Sequence, residues 1–165
     1  MPEAYPLESL LTVRRFREEA ARRKVNSARL AAIEARNEIE RCKKALEDWR
    51  VWREAEVERR YEAIIGASLP VSKLNDFNRA LAKLGQDELE QVMKVDAAER
   101  EAQKAEAAFE KAKRAAVAAG QGTAKIEKHR ELWREDMKKE AEHAEEREFE
   151  DFKPVSRLGA SGDDE

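Results

Sequence analysis

The chain has 165 residues, of which 42% are charged and 6% aromatic, and its acidic and basic side chains nearly cancel to a formal net charge of −3. This balance disfavours nucleic acid or an anionic membrane as the main partner, and the single cysteine, Cys42, excludes an intrachain disulfide. No stretch approaches the ~20 apolar residues of a membrane span, and the N-terminus lacks the basic and apolar segments of a secretory signal. We therefore expect a cytoplasmic protein that does not insert into the membrane, built from long helices because Ala, Glu, Lys, Arg and Leu dominate.

The first predicted helix runs from about 7 to 65, a stretch that neither Gly nor Pro interrupts. Pro6 suits a first helical position, where a missing N–H costs nothing, and Glu8 complements the helix dipole. A turn is predicted over 66–73, where Gly66 is placed for a helix C-cap.

The second predicted helix covers about 74–152, and Ser72 is placed to cap its start. Gly120 and Gly122 are expected to make this helix soft or kinked, since each glycine costs ~1 kcal/mol relative to alanine. The remaining tail, 153–165, is small and polar and is expected to be disordered. The whole chain is thus predicted to be a single hairpin domain.

Both predicted helices carry apolar residues at alternating steps of three and four. This heptad spacing is typical of a coiled-coil seam. When the chain folds back at the turn, the two series oppose each other if paired residue numbers add to about 137. The predicted fold is therefore all-α, a long two-helix antiparallel coiled-coil hairpin. The series are Val25, Ala28, Ala32, Ala35, Ile39, Cys42, Leu46 and Trp49, and Val95, Ala98, Ala102, Ala105, Phe109, Ala112, Ala116 and Ala119.

Near the turn the apolar residues leave these frames by one residue. Val57, Tyr61 and Ile64 do so in the first helix, and Leu89 and Val92 do so in the second. A shift of this kind predicts local unwinding of the coiled coil.

The second helix is predicted to outrun the first. In this register Leu7 faces residue 130, so 131–152 has no partner within the chain. The first helix also begins with too many apolar residues for one seam, and a basic run follows at 14–24. We expect this open end, which holds both termini, to bind another protein. The predicted partner-binding residues are Leu7, Leu10, Val13, Arg14, Arg15, Phe16, Trp133, Met137, Phe149 and Phe152.

Three aromatic residues in the other half are candidate contacts, namely Trp52, Tyr61 and Phe77. Trp49 lies on the seam, so core packing is its favoured role. Trp52 lies off the seam, and its position is equally compatible with simple surface cover and with a contact.

Catalytic and metal-binding patterns are not found in the sequence. The GQG at 120–122 lacks the strand and the Lys-Ser/Thr of a phosphate-binding loop. His143, beside several glutamates, is compatible with weak metal capture, but a solvated helix face is the favoured interpretation. Cys42 lies on the seam and is interpreted as a small core residue. We predict no enzyme activity, no cofactor and no metal, because a two-helix hairpin offers no cleft that would shift a carboxylate pKa.

The two ends of the chain resemble a known family. YPLESLLTVRRFREEAA at the start and KHRELWREDMKKEAEHAEEREFEDF at the end are similar to the YscO/SctO stalk proteins of bacterial type III secretion, which are themselves similar to flagellar FliJ. The matching positions are Tyr5, Pro6, Leu7, Leu11, Arg17, Trp133, Glu140 and Glu142.

The resemblance implies a stalk at the cytoplasmic face of the secretion apparatus. Its implied partners are the pore of a hexameric secretion ATPase and the export gate, with export chaperones or the needle-length regulator as further candidates. Two alternatives remain. One is a chaperone-escort or scaffold hairpin that never enters the pore, and the other is a nucleic-acid-binding coiled-coil arm, which the near-neutral charge disfavours.

Overall fold

The computed structural model describes residues 4–152, with only the backbone of Asp151. It contains two α-helices, α1 over Glu8–Glu62 and α2 over Val71–Asp151, and these are the only regular elements in the described range. The predicted all-α hairpin is confirmed by this element order together with the cross-helix contacts below. The predicted tail at 153–165 lies outside the described residues.

The connection between the helices begins earlier than the sequence predicts. α1 ends at Glu62 rather than near 65, and a turn follows over 63–66. Gly66 has a φ of 78°, in the left-handed region that glycine tolerates without strain. This is the conformation that its predicted capping position requires.

The start of α2 also differs from the prediction. The Pro70 carbonyl accepts hydrogen bonds from the N–H groups of Lys73 and Leu74, so the helix begins at Val71. Ser72, predicted to cap the helix, lies inside its first turn instead. Pro70 marks the boundary because proline fixes a φ compatible with both turn and helix.

The remaining helix features agree in part with expectation. Glu8 lies in the first turn of α1, as predicted, whereas Pro6 occupies the preceding turn rather than the first helical position. α2 stays helical through Gly120 and Gly122.

The chain divides into two compact units, and both helices contribute to each. The terminal unit comprises 4–17 and 119–152 of the described residues, and the turn unit comprises 18–118. Every residue of the two predicted seam series is buried or half-buried. The most deeply buried members are Ala32, Leu46, Val95 and Ala98, which lie in the turn unit.

Contacts within each unit fix an antiparallel register. In the turn unit, the rings of Tyr61 and Phe77 pack edge-on with centroids 5.1 Å apart. In the terminal unit, Glu8 pairs with Arg130 at 3.3 Å. The residue numbers in each pair add to 138, one more than predicted. Longer side chains reach further along, as in the pair between Arg36 and Glu106 at 2.6 Å.

The slip predicted for α2 near the turn agrees with the half-buried Val92 and is wrong for Leu89. Leu84 is buried and Leu89 is 60% exposed, so the covered face continues from Val95 through Glu88 to Leu84 in unbroken steps of seven and four. Glu88 occupies a seam position because the Nε of Arg50, 2.9 Å away, and the guanidinium of Arg53 both bind its carboxylate. A heptad pattern of apolar residues alone does not include Glu88, so it predicts the wrong covered face at this point of α2.

Candidate partner-binding surface

The terminal unit has a small core around Leu11. Its side chain is fully buried, and Thr123 is 3% exposed, with its hydroxyl donating to the Ala119 carbonyl at 3.1 Å. The Arg14 side chain crosses α2 at Gly122, where a Cβ added to the glycine would lie only 3.0 Å from Nη1. Because Nη1 is the end of a long, exposed side chain, a small shift of Arg14 would accommodate a larger residue at Gly122.

Tyr5 lies before α1 and closes this core from the N-terminal side. It is 7% exposed, and its hydroxyl oxygen is 2.7 Å from Nδ1 of His129. Its ring packs on Trp133 with centroids 5.5 Å apart. Trp133 is consequently half-buried within the chain, rather than left entirely to a partner as the sequence predicted. The predicted register begins at Leu7 and therefore does not include the contact between Tyr5 and Trp133.

One flank of the terminal unit is closed by ion pairs. Glu8 pairs with Arg130, and Arg15 donates to Glu127 from both Nε and Nη2, at 3.0 and 2.7 Å. Arg15 was predicted to bind a partner, but here its charge is engaged within the chain. A pair as exposed as Arg15–Glu127 contributes little stability, whereas the Arg130 side chain is only 19% exposed.

An exposed apolar strip begins at Leu7, just before α1, and continues to Phe16. Its members succeed one another at steps of three residues, so the strip winds gradually around the helix. All of them were predicted partner-binding residues. Leu132 of α2 is also exposed and was not predicted to bind a partner. It lies off the seam face that Trp133 occupies, so the seam spacing does not indicate it. We call Leu7, Leu10, Val13 and Phe16 the apolar strip.

The last part of α2 has no partner among the described residues. Every residue from 138 to 150 is exposed, as is Phe152, and Phe149 is 78% exposed. Met137 is half-buried. The unpaired segment is thus shorter than the predicted 131–152, because Tyr5 extends the packing by about two turns of α2.

A shallow groove lies where the chain before α1 ends and α2 continues. Its volume is about 600 Å³. Tyr5, Trp133 and Met137 supply its apolar surface, and charged side chains stand at its edge. We call this the step groove; it is lined by Ala4, Tyr5, Glu8, Trp133, Arg134, Met137, Lys138 and Ala141.

The other candidate contacts lie in the turn unit and are not gathered into one site. Trp52 is exposed and tilts against half-buried Trp49, with centroids 6.2 Å apart. Tyr61 and Phe77 face each other across the two helices. Their mutual packing gives both rings a role in closing the turn.

Cys42 and His143 are the two residues that the sequence offered for reactivity or metal binding. Burial, and then the Glu38 carboxylate, raises the pKa of the Cys42 thiol, which disfavours the reactive thiolate. Nδ1 of His143 lies 3.4 Å from Glu146. Within 4–152, no group of three or more His, Cys, Asp or Glu side chains is placed to hold a metal ion. Neither helix, over the same described range, is apolar enough to cross a membrane.

Comparison with known proteins shows which family this two-helix chain belongs to. The family model of the type III secretion protein YscO matches residues 7–155. The chain belongs to the YscO family. This YscO-family chain is therefore a type III secretion protein, and the resemblance noted in its sequence is confirmed. No curated protein gives a significant match.

A solved structure shares the fold of this YscO-family chain. The crystal structure of the type III secretion protein YscO from Vibrio parahaemolyticus superposes with a TM-score of 0.83, covering 89% of this chain and 92% of that one. The sequences are 20% identical over this range. At that identity the likeness supports the two-helix fold and carries nothing about individual contacts.

Proposed function

We propose that this chain is a stalk whose terminal unit enters the pore of the hexameric secretion ATPase and couples it to the export gate. The observation that carries the proposal is the apolar strip, which is exposed beside an unpaired and highly charged segment of α2. In this account the stalk acts at the cytoplasmic face of the secretion apparatus.

The chemistry of the terminal unit suits a contact that must form and release. Only a few apolar side chains are offered, and they are surrounded by arginine, lysine and glutamate. Polar interfaces of modest area are typical of transient complexes, and complementary charge speeds their association. A stalk touching one side of a ring of six subunits would bias which subunit closes next, without supplying any catalytic group.

The apolar strip allows a matched test of this proposal. Val13 in the strip and Ile33 in the turn unit are 45% and 44% exposed, so a charge placed at either site has a similar effect on folding. We expect Val13→Glu to reduce stimulation of the purified ATPase several-fold, because it places a charge within the buried contact. Ile33→Glu should stimulate like the wild type. Equal stimulation by both variants would contradict the proposal.

The contact with the export gate is assigned to the turn unit. Trp52 is its candidate anchor, since it is exposed while Tyr61 and Phe77 pack on each other. Trp52→Ala should leave ATPase stimulation unchanged and weaken binding to the purified cytoplasmic domain of the gate. Unchanged gate binding would remove Trp52 from this role.

A second candidate function is a scaffold that escorts export chaperones or the needle-length regulator. Exposed apolar residues in the turn unit favour it, since they are available without the terminal unit. Binding of chaperones, but not of the ATPase, in a pull-down with the full-length chain would support this alternative. The most exposed of these residues are Ile65, Val71, Val51, Leu30 and Val117.

A further inference from the structure

The step groove differs from the apolar strip in being concave. Its volume of about 600 Å³ falls within the range of roughly 300–1,000 Å³ that is typical of small-molecule sites. Yet its wall on α2 is formed by exposed helix positions, including Ala141, so it stays open along the helix. An open groove of this kind accommodates a side chain carried on another polypeptide better than an enclosed ligand.

The floor of the groove is aromatic and apolar. Trp133 and Met137 are half-buried, and the Tyr5 ring is held against Trp133. The hydrogen bond between Tyr5 and His129 fixes that ring, so the floor is formed before any partner arrives. Preformed apolar surface reduces the ordering entropy that binding would otherwise cost.

Three charged side chains line the groove, the acidic Glu8 and the basic Arg134 and Lys138. Glu8 is engaged by Arg130, and Lys138 pairs only loosely with Glu142, at 3.7 Å. Among residues 4–150, Arg134 forms no ion pair, and its side chain is exposed. Arg134 is therefore the lining residue that an acidic side chain of a partner would pair with.

We propose that the step groove is an anchor site for one large apolar side chain of the partner, carried beside an acidic residue that pairs with Arg134. Leucine, methionine or phenylalanine would meet the Trp133 and Met137 surfaces. The proposal rests on the proposed function, because the partner is taken to be the secretion ATPase. A buried apolar anchor next to a charge pair is the arrangement that concentrates binding energy in an interface.

Two substitutions in the full-length chain test the two parts of this site. Ala141→Trp fills the groove from an exposed helix position, and Arg134→Glu reverses the charge at its edge. Lys139 provides both controls, because at 100° per residue it lies about 160° around the helix from Ala141 and about 140° from Arg134. The matched variants are Lys139→Trp and Lys139→Glu.

Binding of each variant to the purified, nucleotide-loaded ATPase oligomer is measured by calorimetry, after far-ultraviolet dichroism has shown equal helicity. We expect Ala141→Trp and Arg134→Glu each to weaken binding about tenfold or more, and the Lys139 variants to stay within about twofold of the wild type. The defect of Arg134→Glu should shrink at high salt, whereas that of Ala141→Trp should persist.

The outcomes separate this inference from the proposed function. If the wild-type chain does not bind the ATPase, both fail. If it binds and Ala141→Trp binds equally well, the anchor site is refuted while the proposed function stands. A loss of binding with Ala141→Trp but not with Arg134→Glu would refute the acidic residue that we place beside the anchor. Sedimentation that shows self-association of the wild type, abolished by Ala141→Trp, would make the occupant a second copy and overturn the proposal.

Discussion

The terminal unit and the turn unit are built from the same two helices, but they bury different side chains between those helices. In the turn unit, cross-helix ion pairs such as Arg36–Glu106 and Arg50–Glu88 flank a seam of small apolar residues. The terminal unit also has cross-helix ion pairs, Glu8–Arg130 and Arg15–Glu127, but there the buried side chains are the larger Leu11 and Tyr5, whose ring packs on Trp133.

The two units also expose their apolar residues differently. In the turn unit they are spread along both helices, which is ordinary for a protein surface, except for Ile65, Leu69, Val71 and Leu74 at the turn itself. In the terminal unit they form the apolar strip and the step groove. We therefore expect partner binding to depend on how the exposed apolar side chains are arranged rather than on how many there are.

The largest effect is expected from Leu11→Ala, which empties the terminal core. Removing a fully buried leucine side chain destabilises a protein by about 3 kcal/mol, since burial is lost and a cavity remains. Val13→Ala, at an exposed site, should change stability by less than about 0.5 kcal/mol. Chemical denaturation measures both, and hydrogen exchange should show faster opening at 119–130. Opening concentrated in 18–118 instead would contradict the assignment of Leu11 to the terminal core.

The Tyr5 hydroxyl offers a smaller and more specific test. Tyr5→Phe keeps the ring on Trp133 but removes the partner of His129, so it should cost about 1 kcal/mol. Tyr61→Phe is the control, because that tyrosine is exposed and no hydrogen bond from its hydroxyl to another described residue is present. Thermal unfolding of the two variants measures the difference. Equal midpoints for both would mean that the Tyr5–His129 bond contributes nothing.

The charged seam position in the turn unit should matter less. Glu88→Gln removes the carboxylate shared by Arg50 and Arg53, which are themselves about half exposed. Partly exposed ion pairs contribute little, so we expect a loss of about 0.5–1 kcal/mol that diminishes with added salt. Glu90→Gln, at an exposed position, serves as the control. A loss independent of salt would indicate packing rather than charge as the cause.

The smallest effect is a pH dependence at Glu56. The Arg60 guanidinium, 2.6 Å from its carboxylate, and then that of Arg59 hold the pKa of Glu56 below its ordinary value of 4.5. A lowered folded-state pKa stabilises the protein above the unfolded pKa, and that contribution is lost as pH falls through the folded value. Glu56→Gln should therefore lower the unfolding midpoint at about pH 7 and match the wild type at about pH 2. A difference that persists in acid would contradict this origin.

The sequence predicts the regular parts of this molecule well, for a physical reason. Ala32, Leu46, Val95 and Ala98 lie on the covered faces because heptad spacing directly encodes which side of a helix is buried. Gly66 was likewise predictable, since few other residues adopt a positive φ.

The features that escaped prediction depend on contacts that spacing does not encode. Glu88 occupies a seam position only because two arginines neutralise it, and hydrophobic counting treats it as a surface residue. Tyr5 lies outside any helix, so no helical register includes it. The step groove forms where the Tyr5 ring packs on Trp133 and α2 extends beyond that contact. It therefore depends on both segments and cannot be predicted from either one alone.

The central claim is that the terminal unit carries the contact with the secretion ATPase. Hydrogen exchange of the full-length chain, with and without the nucleotide-loaded ATPase oligomer, tests it most directly. We expect slower exchange on binding within 7–17 and 130–150, with exchange in 50–90 unchanged. Protection confined to 50–90, with the terminal unit exchanging as freely as before, would contradict it.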